Sequence, residues 1–94
     1  MRVRGRPRKT RIIQFQPSVT FFKPAGIPLR DLEIIQITRE EIEALRLSHL
    51  QNLGQKEASD MMGISQPTLN RTLDSVYKKI TQAMTSGCAI RIEE

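Results

Sequence analysis

From Gly54 to Leu73 the apolar positions are Ala58, Met61, Met62, Ile64, Leu69 and Leu73, separated by runs of polar residues. Ala58, Met62, Ile64, Leu69 and Leu73 form an inward set that predicts two helices at a steep angle. The first runs from about Gln55 to Met62 and the second from Gln66 to about Ser86. Ser59 is small where the helices must approach, Gly63 can take positive φ at the turn, and Ser65 can cap the second helix through its hydroxyl. Together these features read as a helix-turn-helix over residues 54–86. A plain helical hairpin in a small bundle is the other reading. Leu69, Leu73, Val76 and Ile80 recur at spacings of four, three and four, a clean amphipathic face, and Gly87 stops the helix.

Upstream, Thr38 with Glu41 three residues on is a capping box, so a helix should start at Arg39 and run to about Asn52. Its apolar residues Ile42, Ala44, Leu45, Leu47 and Leu50 do not form one stripe, so it should be contacted from two sides. Leu53 and Gly54 end it. Residues 12–22 alternate partly and are rich in β-branched and aromatic side chains, predicting an extended segment or short edge strand that Pro17 interrupts. Residues 23–28 make a rigid turn, with Pro28 opening a short helical turn over Leu29 to Glu33. Residues 88–92 are a last candidate strand, whose partner lies in residues 12–22 or in another chain. The expected fold is mainly α: a three- to four-helix domain with short N- and C-terminal extended segments.

Ninety-four residues allow one small domain with a limited core. The net charge is +5, and its distribution says more than the total. Arg2, Arg4, Arg6, Arg8, Lys9 and Arg11 place six positive charges in the first eleven residues without one acid. The other nine Lys/Arg face all ten Asp/Glu, so residues 12–94 carry −1. Residues 1–11 therefore read as a disordered basic arm, and 12–94 as the folded body. A polyanionic partner follows from the arm, not from the body. No apolar run approaches eighteen residues and no signal-peptide pattern is present, so a soluble cytoplasmic protein without a membrane partner is expected. The single Cys88 excludes an intramolecular disulfide framework.

Arg4-Gly5-Arg6-Pro7-Arg8-Lys9 resembles the core of an AT-hook. Glycine permits close approach, proline keeps the chain extended, and arginines suit the narrow, strongly negative minor groove of A·T-rich DNA. A generic phosphate-binding tail is the competing reading. On the second helix, Pro67, Arg71, Asp74 and Lys78 fall on one ridge opposite the apolar face, flanked by Asn70 and Ser75. Arginine can read guanine and asparagine adenine, while Ser65, Gln66, Pro67 and Thr68 lie in the turn and first turn, where such helices reach base edges. Lys78 suits a phosphate. Asp74 is discordant, since a carboxylate repels phosphate. His49 and Cys88 lie in unlike segments, so no metal site and no cofactor is expected; a surface histidine and a half-buried thiol are. The phenylalanines Phe15, Phe21 and Phe22 are expected in the core, and Glu43 and Arg46 as an ion pair. Neither a carboxylate pair nor a glycine-rich phosphate loop nor an activated serine occurs, so no enzyme is expected.

Phe15-Gln16-Pro17, Phe22-Lys23-Pro24-Ala25-Gly26-Ile27-Pro28, Glu43-Ala44-Leu45-Arg46-Leu47, Gln55 to Ser65, Thr68 with Arg71, and Ile90 to Glu93 carry a resemblance. The chain resembles a family of small uncharacterised bacterial and archaeal proteins predicted to bind DNA, whose helix-turn-helix is similar to region four of sigma factors. The blocks run in order along nearly the whole chain. Gln66 stands where a basic residue is common, and Thr72 where an aliphatic one is expected. The resemblance implies DNA binding and names no target.

The sequence thus predicts a double-stranded-DNA-binding regulator, with its second helix in the major groove and its arm in the minor groove or on phosphates. A sigma-like interaction module docking on RNA polymerase or another regulator is the alternative. The second helix, about 30 Å long, exceeds what groove docking needs. Its apolar face continues through Val76, Ile80 and Ala83, with Tyr77 and Met84 alongside. The extended segments could cover that face within one chain or across two, and a twofold homodimer is expected.

Overall fold

Three helices begin and end where local chemistry fixes them. The computed structural model describes residues 11–94. Thr38 caps α1 (Arg39–Leu45): its hydroxyl accepts from the Glu41 N–H and Glu41 accepts from the Thr38 N–H, completing the capping box. The helix then widens into a single π-helical stretch, Arg46–Leu50, rather than continuing as regular α-helix to Asn52. Asn52, in the left-handed region at φ 58°, terminates it. Gly54, expected to share in that stop, has φ −68° and instead precedes α2 (Gln55–Met62).

Gly63 ends α2 at φ 68°, with its N–H on Asp60 O and the Ile64 N–H on Ser59 O. This is the hydrogen-bond pattern of a glycine-terminated helix. Ser65 accepts from the Thr68 N–H at 3.1 Å and opens α3 (Gln66–Ser86). Gly87, again left-handed, closes α3. Ala44, Leu47, Ala58, Met62 and Leu69 form the central core, with Leu53, Ile64 and Leu73 packed against it. Ser59 is buried there as well, its hydroxyl donating to Lys56 O. All five members of the expected inward set are in this cluster or packed on it.

The extended segments make a three-stranded sheet. Its strands are β1 (Phe21–Phe22), β2 (Ile34–Ile37) and β3 (Ala89–Ile92), in the order β1-β3-β2. β3 pairs antiparallel with β1, Phe21 opposite Arg91, and parallel with β2, Ile34 opposite Ala89. The partner anticipated for residues 88–92 is therefore present, but only two residues long. The longer partner, β2, was not anticipated. The short helical turn after Pro28 spans Leu29–Asp31.

α1 and the sheet cover the far half of α3, so Val76 and Ala83 are buried within one chain. A second chain is not needed to cover them, and Met84 and Tyr77, 78% and 38% exposed, are left outside. The phenylalanines are a correction. Phe15 and Phe22 are 42% and 52% exposed, and Phe21 is half-buried. The core is already filled by Ile37, Leu47, Met62, Leu69 and Val76, so the N-terminal rings lie across the outside. The Arg46 and Arg91 guanidinium groups sit over Phe15 and Phe21, at 5.4 and 5.6 Å from the ring centroids.

Candidate nucleic-acid interface

Residues 11–16 form a strap across α1, and what ties it down is mostly polar. The Ile12 N–H donates to Met62 O, at the end of α2, at 3.0 Å. Arg11 pairs with Glu40, and the Gln14 N–H donates to Glu43 Oε2 at 3.0 Å. Glu43 is buried and also takes both Nε and Nη2 of Arg46, at 3.0 and 2.9 Å. Burial alone would raise its pKa. The Arg46 hydrogen bonds, then the Gln14 and Phe15 N–H groups, more than reverse that and hold the carboxyl below the ordinary range.

Glu41, two residues earlier on α1 and on a different face, follows the same logic. Burial raises its pKa, but Ser75 Oγ at 2.6 Å, the Thr38 N–H and Lys79 Nζ at 2.9 Å bring it below the ordinary range. Ser75, expected on the flank of the α3 ridge, is thus turned toward α1. Its hydroxyl gains more from a buried carboxylate than from water.

These contacts bring the strap to the beginning of α3. Arg11 lines a groove of about 450 Å³ with Glu40, Thr68, Arg71, Thr72 and Lys79. A smaller recess beside it is lined by Arg11, Ile64, Ser65 and Thr68. The expectation that Arg11 belongs to a disordered arm is corrected: its ion pair and its place in the groove make it part of the body. Arg4, Gly5, Arg6, Pro7, Arg8 and Lys9 lie outside the described residues. In the chain they come just before Arg11.

The α3 candidates divide by what already occupies them. Gln66, Pro67, Arg71 and Lys78 are exposed. Arg71 Nη2 donates to Thr68 Oγ1 at 3.1 Å. Ser65 is committed to the cap and also donates to Thr68 Oγ1 at 2.9 Å, so its hydroxyl is not free. Asn70 is exposed, but its carbonyl oxygen accepts from the Gln55 amide. His49 is on the surface against Tyr77, whereas Cys88 is buried rather than half-buried. Sequence reasoning missed the carboxylates Glu40 and Glu41 as neighbours of α3. The only available sign was acids at the start of an unpaired helix, which usually face water.

A second surface is apolar. Phe15, Ile42, Leu45, His49 and Leu50 line a shallow depression of about 400 Å³, and Leu50 is 73% exposed. Among the described residues no helix is long and apolar enough to cross a membrane.

The fold defines a small, mainly helical domain with a three-stranded sheet, whose strap and longest helix share one polar groove. Residues 1–94 match the family described as "Protein of unknown function DUF134", and the chain belongs to that family. A UPF0251 protein of Desulforudis audaxviator is 49% identical over 89 residues, 95% of this chain and 58% of that protein. A UPF0251 protein of Caldanaerobacter subterraneus is 49% identical over 88 residues, 94% of this chain and 75% of that protein. One from the archaeon Methanosarcina acetivorans is 42% identical over 90 residues, 96% of this chain and 80% of that protein. The chain therefore spans a little over half to four-fifths of these relatives' length. No solved structure matches it.

Proposed function

We propose that this domain binds double-stranded DNA as a transcriptional regulator, through a helix-turn-helix formed by α2, the Gly63 turn and α3. The observation that carries the reading is the docking of Arg11 beside Ser65, Thr68 and Arg71. It puts the origin of the basic arm next to the exposed start of α3. Arm and helix would then work on one duplex from one side, the arm in a minor groove or along phosphates and α3 in the adjoining major groove. With Arg11 included the body is neutral, ten Lys/Arg against ten Asp/Glu, which gives the arm most of the electrostatic work. Gln66, Pro67, Arg71 and Lys78 are the exposed α3 positions for contact, with Asn70 available once it exchanges Gln55 for a base edge. A homodimer on paired half-sites fits this mode, and light scattering across a dilution series tests it. Footprinting on random genomic fragments tests the reading itself. A defined protected site is the expected result, and a uniform salt-sensitive smear would contradict sequence-specific binding.

One feature favours a second reading, a sigma-like module that docks on polymerase or another regulator. The depression around Phe15, Leu45 and Leu50 is an exposed apolar surface outside the groove. Leu50→Glu would abolish such docking without changing DNA affinity.

A further inference from the structure

We propose that the groove between the strap and α3 is the seat of a DNA backbone phosphate, with Arg71 and Arg11 as its ligands and Glu40 as its competitor. The inference rests on the DNA-binding reading and deepens it. A duplex engaged by α3 in the major groove and by the arm in the next minor groove must pass one sugar–phosphate strand between them. The surface available to that strand is this groove, walled on one side by Arg11 and Glu40 and on the other by Thr68 and Arg71.

Its charges are not equivalent. Glu41 is buried and saturated by Ser75, Thr38 and Lys79, so that carboxylate and Lys79 neutralise each other and neither is free to respond. Arg71 has no carboxylate partner within ion-pair distance among the described residues, and the Thr68 hydroxyl holds its guanidinium at the groove. Arg11 is paired with Glu40, but both side chains are about one-third exposed. Ion pairs that wet are weak, and a phosphate offers arginine a stronger, multidentate acceptor. The groove therefore holds one cation ready for an anion and a second that becomes available once Glu40 yields. A tetrahedral, singly charged phosphate diester fits this arrangement better than a base edge, which would have to reach past the Arg11–Glu40 pair.

The test uses the full chain on its selected duplex, with single methylphosphonates that neutralise one phosphate at a time, and the variants Glu40→Gln and Arg71→Ala. Glu40→Gln removes a competitor on the rim, and circular dichroism confirms that it folds. It is expected to tighten binding about two- to fivefold on every sequence. One neutralised phosphate, on the strand between the two protected grooves, should weaken the unsubstituted protein more than it weakens Arg71→Ala, in which Arg11 alone still contacts it. Binding indifferent to Glu40, or Arg71→Ala relaxing preference at a single base pair, overturns the seat alone and makes Arg71 a base reader. No binding of any duplex overturns the DNA-binding reading and the seat with it.

Discussion

The α2–α3 pair and the N-terminal strap meet at one groove but are held by opposite means. Ala58, Met62 and Leu69 lock the helices together through fully buried apolar contact. The strap lies outside that core and is fastened by Glu43 and Glu40, with Phe15 left on the surface under Arg46. Apolar packing neither titrates nor is screened by salt, whereas carboxylate anchoring is subject to both. The element that launches the arm is thus the one that can be loosened without unfolding the helices.

The largest effect should come from breaking the apolar side. Leu69→Ala removes a wholly buried side chain where α1, α2 and α3 meet. It should cost about 2–5 kcal/mol in chemical denaturation, with one cooperative transition for the whole domain. A loss below 1 kcal/mol would mean that the helix pair is not the structural centre.

Glu43→Ala sharpens the other side. It strands Arg46 and the Gln14 and Phe15 N–H groups, and because Arg46 reaches water the cost should be about 1–3 kcal/mol. Hydrogen exchange should speed up at Gln14 and Phe15 well before it does in α2 or α3. Acid should do the same to the native protein. Glu41 and Glu43 have folded-state pKa values below the ordinary 4.5, so the stability they supply is present above about pH 4.5 and is lost as pH falls through the folded values. Strap protection should fade over that acid range and depend less on pH in Glu43→Ala. Equal protection in both would assign the strap to apolar packing.

The same contrast explains what could be read from the residues. The caps at Thr38 and Ser65, the left-handed Gly63 and Gly87, and the α3 face through Val76 each depend on a few neighbouring positions, and all lie where the pattern put them. Strand β2 was missed because Ile34, Ile35 and Ile37 pair with residues more than fifty positions away, and so short a run carries no clear period of two. The strap was missed for a related reason. Glu43 was legible as a partner for Arg46, but nothing local shows that its second oxygen holds Gln14, twenty-nine residues back. Arg11 was assigned to the arm because its charge matched the arm's, while the carboxylate that holds it lies on α1, twenty-nine residues on.

The central claim, that the arm and the start of α3 act together on one duplex, is tested most directly by the salt dependence of DNA affinity with and without residues 2–9. The log–log slope is expected to fall by roughly 0.9 for each phosphate contact removed, while the shortened chain keeps its preference for the same site. A slope unchanged by the deletion would contradict it.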